Sequence, residues 1–227
     1  MCQGYTVKLG RKFIVLLMVF IVSGCKTDKP VFFKDSILSE QELTSMIGHY
    51  HVPGNDDQPT TLSISSSNEP FNLDGKTMTH GLNFSMKVAE HSKINEVSGF
   101  IVLSRIPKTD VVLGTIPINR LTVILNEPAD EDFKNSPYAA FGILKLDEEH
   151  ITEYHWNFND PRLDEYFDDE YSKGENLYPA EKFKEFLKGN DIFSYTLEKR
   201  RFKKSTEEEK QKVEEQFSLY LQKNKLK

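Results

Sequence analysis

The stretch from residue 99 to residue 125 reads GFIVLSRIPKTDVVLGTIPINRLTVIL and is rich in valine, isoleucine and leucine. It divides into three apolar runs, at residues 99–106, 111–116 and 121–125, with turn residues such as Asp110 and Pro117 between them. β-branched residues favour strands, and a continuous apolar run is typical of a strand that is buried on both faces. The stretch therefore predicts three central strands of a sheet.

Strands with one solvent-exposed face are predicted before this stretch. Apolar residues alternate with polar ones at Leu62 and Ile64, and again at Leu82, Phe84, Met86 and Val88. A period of two is the pattern of a half-buried antiparallel strand. Residues 192–195 and 197–202, near the end of the chain, are also predicted to be extended.

A β-hairpin is predicted at residues 139–158, where two apolar segments flank the turn Asp147, Glu148, Glu149 and His150. Successive side chains of a strand point to opposite sides of the sheet. On the second strand Thr152, Tyr154, Trp156 and Phe158 therefore share one face, and Ile151, Glu153, His155 and Asn157 share the other.

Three helices are predicted. Ser39 with Glu42, and Thr206 with Glu209, have the spacing of a capping box and begin the first and last helices. The middle helix begins at Pro179 and ends at Gly189, with its apolar residues at helical spacing. In the last helix Val213, Phe217, Tyr220 and Leu221 form one apolar stripe, which predicts an amphipathic helix.

The predicted fold is a single α+β domain. It consists of a mainly antiparallel β-sheet, either open or curled toward a barrel, with short flanking helices and the C-terminal amphipathic helix. A short helix followed by Gly48 and Tyr50 on a first strand resembles the start of lipocalin-like barrels. No ligand is inferred from that resemblance.

The N-terminus has the pattern of an export signal. Lys8, Arg11 and Lys12 precede residues 13–22, which are all apolar. A membrane-spanning helix needs about 20 apolar residues, so this run is too short to be a permanent span. The basic residues stay on the cytoplasmic side by the positive-inside rule, and the rest of the chain is expected to cross the membrane.

Val22, Ser23, Gly24 and Cys25 end the apolar run and resemble the lipobox of bacterial lipoprotein signals: an aliphatic residue, two small residues and a cysteine. The resemblance implies that a diacylglyceryl group is attached to Cys25. It also implies cleavage just before Cys25 and acylation of the new amino terminus by a fatty acid such as palmitate. An uncleaved anchor with an incidental cysteine is the alternative.

These signals divide the chain into a signal peptide at residues 1–24, a tether at 25–36 and the domain at 37–227. Two or more acyl chains hold a protein stably in a membrane, so the membrane is the first expected partner. Enterobacterial lipoproteins with an aspartate after the cysteine are retained in the inner membrane, whereas this chain has Lys26 there. The resemblance therefore implies the outer membrane, facing the periplasm.

Charge and cysteine content exclude some classes of function. Removing Lys8, Arg11 and Lys12 with the signal takes the formal net charge from -6 to about -9. An acidic body repels phosphate backbones, so nucleic acid is not an expected partner. Cys2 leaves with the signal and Cys25 is modified, so the fold is expected to depend on its hydrophobic core without a disulfide or a cofactor.

Two stretches of the sequence are candidate metal sites. His49 and His51 lie two residues apart, which on a strand places both imidazoles on one face, but no third ligand follows at a recognisable spacing. Residues 157–170 are rich in carboxylates and amides yet lack the alternation and turn glycine of a calcium loop. The expectation is no metal, with His49 and His51 as the only candidates and a solvated loop at residues 157–170.

The aromatic side chains around residues 154–171 are expected to be core, although a ligand pocket is the alternative. The sequence contains no nucleophile elbow, no His-Glu-x-x-His and no phosphate-binding glycine loop. The acidic pairs Asp147 with Glu148 and Asp168 with Asp169 are read as charged turns. No catalytic residue is therefore predicted.

Two functions remain open. The first is a non-enzymatic envelope lipoprotein that binds an envelope protein or a small ligand near the membrane, through an exposed apolar patch or a groove. The alternative is a periplasmic hydrolase whose site combines His49, His51 and His155 with the acidic stretch, which requires these groups to converge in a pocket. A role in envelope assembly or stress is not separable from the first.

Overall fold

The structure is a computed structural model that describes residues 31–55, 57–67, 69–73, 75–78, 81–90, 93–117, 121–124, 139–156, 160, 162 and 180–225. Within these ranges the strands are β1 (Gly48–His51), β2 (Thr60–Ser67), β3 (Phe71–Leu73), β4 (Lys76–Met78), β5 (Gly81–Glu90), β6 (Lys93–Arg105), β7 (Val111–Pro117), β8 (Leu121–Ile124), β9 (Ala139–Leu146), β10 (His150–Trp156) and β11 (Thr196–Lys204). The helices are α1 (Glu40–Ser45), α2 (Ala180–Gly189) and α3 (Glu207–Lys225).

Eight of the described strands close into an antiparallel barrel. The order around the ring is β1, β2, β5, β6, β7, β9, β10 and β11, and β11 pairs with β1 again. This order follows the chain, as in an up-and-down barrel. Some connections are long: β3 and β4 lie between β2 and β5, β8 lies between β7 and β9, and α2 lies between β10 and β11. The predicted α+β class with a barrel-like antiparallel sheet is therefore confirmed.

The first two apolar runs are central strands, as predicted. All of β7 is buried, because its inner side chains face the barrel interior while Val111 and Leu113 on its outer face pack under α2. The third run forms β8, which differs from the prediction. Among the described strands β8 pairs only with β6, alongside residues 96–99, and so lies outside the closed ring.

The barrel interior is filled by side chains from the alternating strands. All six alternating residues predicted on β2 and β5 are buried in this interior core, together with residues from β1, β6, β7, β9, β10 and β11. Each fully buried leucine, isoleucine or phenylalanine contributes about 1.5–3 kcal/mol relative to an exposed one. The interior core therefore supplies much of the driving force for closure.

Helix α1 packs against the interior core. Ser39 and Glu42 form the predicted capping box, with each backbone N–H of the pair bonded to the other side chain. Leu43 and Met46 then face the core, and the Tyr50 hydroxyl donates a 2.8 Å hydrogen bond to the Met46 carbonyl. This arrangement fixes the start of β1 relative to the helix.

Residues 31–36 belong to the packed structure, in contrast to the tether predicted at residues 25–36, whose first six residues lie outside the described residues. Val31, Phe32 and Phe33 are buried, and Lys34–Ser36 form a 3₁₀ turn. The Phe33 N–H donates to the Ser104 hydroxyl on β6, and the Thr115 hydroxyl on β7 donates to the Val31 carbonyl. Three apolar side chains in a row are better accommodated against the barrel than in water.

Helix α2 covers the outer face of the barrel beside this segment. Phe183, Phe186 and Leu187 are buried in an outer core that also contains Val31, Phe33 and residues of β7 and β9. Residues 192–195 after it form a 3₁₀ turn, so the prediction that they are extended is wrong. The Asp191 carboxylate caps this turn by accepting from the Phe193 N–H.

The predicted hairpin is present as β9 and β10. Asp147 holds its turn by accepting from the N–H groups of Glu149 and His150. Ile151 then faces the interior core, as the period of two requires. The capping box of Thr206 and Glu209 begins α3, whose Val213 and Phe217 are buried against the barrel.

Candidate ligand-binding site

A cleft lies at the seam where the barrel closes. Strand β1 is short and pairs with β11 only at two positions, Tyr50 with Lys204 and His51 with Lys203. The rest of β11 extends past the point where β1 has ended. The resulting seam cleft has a volume of about 560 Å³ and is lined by Val52, Pro53, His150, Glu198, Lys199, Arg200 and Arg201.

Three consecutive basic residues of β11 line this cleft. The register between β10 and β11 pairs Glu153 with Arg200 and Tyr154 with Glu198, so Lys199 is the extra residue of a β-bulge. A bulge bends the strand and changes the direction of a side chain. The bulge lies in the wall of the seam cleft, which is lined by the four consecutive residues Glu198, Lys199, Arg200 and Arg201.

Arg200 connects the seam cleft with the barrel interior. Its Nη1 atom lies 3.6 Å from Oε2 of Glu153, and the two side chains are only 10% and 3% exposed. Glu153 in turn lines an apolar interior cavity of about 30 Å³. A cavity of that size holds about one water molecule.

This buried ion pair is poorly compensated. At 3.6 Å the two groups are not hydrogen bonded, and Oε2 of Glu153 has no hydrogen-bond partner among the described residues. Burial raises the pKa of Glu153, while the charges of Arg200 and Lys199 lower it. The Arg200 guanidinium donates within the described structure only to the Met86 sulfur, at 3.5 Å.

Lys199 is also incompletely satisfied. Its side chain is half-buried, and burial lowers the pKa of its amine to about 8, partly offset by the charge of Glu153. Among the described residues no carboxylate lies within ion-pairing distance of this amine. Beside it, Arg201 and His150 both contact Asp147, at 3.8 Å and 3.1 Å, and form the side wall of the seam cleft.

The histidines predicted as metal candidates do not share a ligand. Tyr50 between them points to the interior, so both lie on the outer face of β1, as expected. Nδ1 of His49 is hydrogen bonded to the Ser63 hydroxyl at 2.9 Å, and Nδ1 of His51 to the Ser205 hydroxyl at 2.8 Å. Burial lowers the pKa of His51. In the described ranges no three acidic, histidine or cysteine groups come together as a metal site would require.

Other sequence-predicted residues fall outside the described residues. These are Cys25 of the lipobox, and the side chain of His155 and most of residues 157–170, which belong to the hydrolase hypothesis. Asp160 is described, and both of its carboxylate oxygens accept from Arg162. Tyr154 packs edge-on against Phe193 at 4.9 Å, which confirms the core interpretation for this aromatic residue.

The seam cleft was missed at the level of sequence, although a signal for it exists. Glu153 was placed on the same strand face as Ile151, and a carboxylate on the inward face of a barrel strand needs a partner. The run Lys199, Arg200 and Arg201 supplies that partner. No local pattern joins the two segments, because they meet only through the pairing of β10 with β11.

Comparisons with known proteins add no assignment. The chain matches no protein-family model, no curated protein and no solved structure. Within the part of the chain that the structure describes, no helix combines the length and hydrophobicity that crossing a bilayer requires. The functional inference therefore depends on the N-terminal sequence and on the geometry of the seam cleft.

Proposed function

We propose that this chain is a lipid-anchored lipoprotein of the bacterial cell envelope, a non-enzymatic module that binds a small ligand in the seam cleft. The observation that carries the anchor is the order of basic residues, a short apolar run and Val22, Ser23, Gly24 and Cys25. Acyl chains on Cys25 hold the domain at the outer membrane, on its periplasmic side.

The packing of the N-terminal segment supports a short connection to the membrane. Val31 is fully buried against the barrel, and six residue steps separate it from Cys25. Six residues span at most about 20 Å, whatever their conformation. The outer face that carries Val31 and α2 is therefore held close to the lipid surface.

A small ligand suits the described surface better than a docked protein. The large apolar side chains exposed there are Leu197 on β11 and Leu219 on α3. A recess of about 560 Å³ with incompletely paired charges is instead the size of a small-molecule site. The lining of the seam cleft contains no hydroxyl or thiol nucleophile.

The anchor is tested by fractionating cells that produce the native protein or the Cys25→Ala variant. We expect the native protein in the outer membrane and the variant among released proteins, with Cys2→Ala as the matched control that fractionates like the native chain. Mass spectrometry should find the mature N-terminus at an acylated Cys25. Identical fractionation of the native and Cys25→Ala forms would overturn the proposal.

A second variant tests the choice of membrane. Lys26 occupies the position where an aspartate retains enterobacterial lipoproteins in the inner membrane. Lys26→Asp should therefore move the lipidated protein to the inner-membrane fraction, and Lys29→Asp should not. An unchanged distribution of Lys26→Asp would contradict a sorting role for residue 26 and leave the lipid anchor standing.

A further inference from the structure

We propose that the seam cleft is an anion-binding site, which takes a small organic molecule through its carboxylate or phosphate group at Lys199 and Arg200. This inference rests on the proposed binding role of the seam cleft, and it does not require the lipid anchor. It names the chemical class of the ligand, which neither the sequence motifs nor the fold assigns.

The lining of the cleft is basic, whereas the protein is acidic overall. Lys199, Arg200 and Arg201 line it with one carboxylate, Glu198. Arg201 lies 3.8 Å from Asp147 and Arg200 lies 3.6 Å from Glu153, so Lys199 is the lining cation that has no carboxylate partner among the described residues. The chain as a whole carries a formal net charge of -6. A basic recess on an acidic body attracts small anions, whereas large polyanions are repelled by the surrounding surface.

The donors of Arg200 provide the first specific argument. A guanidinium has five N–H donors, and a buried polar group is normally hydrogen bonded. Among the described residues Arg200 donates only to the Met86 sulfur, although its side chain is nine-tenths buried. Nη1 of Arg200 faces the interior at Met86 and Glu153, so a carboxylate or phosphate in the cleft would be bound by the other N–H groups of the guanidinium.

Glu153 does not already fill this role. Its nearer oxygen is 3.6 Å from Nη1 of Arg200, beyond hydrogen-bonding distance, and burial within the barrel disfavours its charged form. Glu153 approaches from the interior, because it lines the internal cavity and is absent from the lining of the seam cleft. Glu153 therefore does not occupy the cleft side of the guanidinium.

Lys199 provides the second argument. The amine is half-buried beside the cleft, and the described residues offer it no hydrogen bond or ion pair. A charged amine in that position is stabilised when an anion approaches within about 4 Å. Lys199 and Arg200 are adjacent on the bulge of β11, so one anionic group can contact both.

The rest of the lining limits the ligand further. Val52 and Pro53 form an apolar side of the cleft, opposite the basic strand. A ligand with a short hydrocarbon portion would cover these residues while its anionic group meets Lys199 and Arg200. The interior cavity of about 30 Å³ excludes a long chain from the barrel, so the ligand remains in the cleft.

The experiment is a titration of the detergent-solubilised mature lipoprotein, followed by the NMR signals of its lysine and arginine side chains. Sodium phosphate and sodium butyrate are the two anionic probes, and butylammonium, with the same chain and the opposite charge, is the control. We expect saturable shifts with a Kd of about 1 mM or tighter for at least one anion and none for butylammonium. No saturable shift with either anion overturns the proposal.

Two variants locate the site. Lys199→Met and Arg200→Lys should each weaken anion binding at least about tenfold, the second because lysine lacks the planar fork of donors. Arg200→Lys also keeps a cation opposite Glu153, so folding is retained. Arg105→Lys, an exposed arginine that pairs with Glu42 elsewhere, is the matched control and should bind normally. Native affinity in folded Lys199→Met and Arg200→Lys would overturn the assignment.

The result of the anion-binding experiment can be distinguished from the result of the lipid-anchor experiment. Anion binding by the Cys25→Ala form supports the site even if the fractionation experiment contradicts the lipid anchor. A correctly lipidated protein that binds neither phosphate nor butyrate overturns the ligand class and leaves the anchor intact.

Discussion

Arg200 and Glu153 face each other across adjacent strands of the barrel, with Nη1 and Oε2 3.6 Å apart and both side chains almost fully buried. Burying a charge is unfavourable unless it is well paired, and these two groups are not hydrogen bonded to each other. Such a pair does not stabilise the barrel as much as apolar side chains would. Its presence at the wall between the interior and the seam cleft is consistent with a role in binding.

The first prediction concerns this pair. Arg200→Met leaves a buried carboxylate without a cation and should lower the free energy of unfolding by about 3–5 kcal/mol. Replacing both groups, with Glu153→Leu and Arg200→Met, should be neutral or stabilising by about 1–4 kcal/mol. Urea denaturation of the single and double variants measures both values. A double variant as unstable as Arg200→Met would contradict this account.

The pH dependence of the stability of Arg200→Met tests whether the buried charge of Glu153 destabilises this variant. Burial raises the pKa of Glu153 in the native protein, and loss of the Arg200 charge raises it further. The extra penalty in the variant therefore shrinks as the pH falls from the pKa of Glu153 in the variant toward its pKa in the native protein. The difference in stability between Arg200→Met and the native protein should therefore shrink from pH 7 to pH 5. A constant difference would show that lost packing, and not the buried charge, destabilises the variant.

The second prediction is that anion affinity depends on the charge of Lys199. Burial lowers the pKa of this amine to about 8, so affinity for butyrate should fall about tenfold between pH 8 and pH 10 as the proton is lost. Other charged or titratable groups also face the amine or line the cleft, namely Glu153, Arg200, Glu198 and His150. The fall should persist in His150→Gln and be absent from Lys199→Met, as NMR titrations at each pH would measure.

The third prediction concerns the N-terminal segment. A chain that begins at residue 37 lacks Val31, Phe32 and Phe33, whereas a chain that begins at residue 31 keeps them. Removal of one buried phenylalanine side chain costs about 3–5 kcal/mol, so the shorter chain should be less stable by at least that amount. Urea denaturation compares the two, and equal stabilities would mean that the segment does not support the barrel.

The fourth prediction concerns acid stability. The hydrogen bond from Lys203 lowers the pKa of Glu209 from its ordinary 4.5 to about 2. A lowered pKa stabilises the folded state above pH 4.5, and this contribution is lost as the pH falls toward 2. Glu209→Gln should therefore be less stable than the native protein at pH 6 and approach it near pH 2. Glu215→Gln, on the exposed side of the same helix, is the control and should follow the native curve.

Much of the local structure could be predicted. Ser39 with Glu42 and Thr206 with Glu209 form capping boxes because the partners are three residues apart, and no distant contact is needed. The alternating residues of β2 and β5 face the interior because the strand period sets the face of each side chain. The errors arose where distant packing intervenes, as when residues 31–33 bury themselves against Ser104 and Thr115.

The sequence by itself determined the position of most helices and strands and which of their faces are apolar, since these depend on neighbours a few residues away. Only the tertiary structure decided that the sheet closes, that the seam beside β1 leaves a cleft, and that Glu153 meets Arg200. The reason is that barrel closure and strand register depend on pairing between segments far apart in the chain. A shift of β11 by one residue would turn Arg200 to the other face and remove the site.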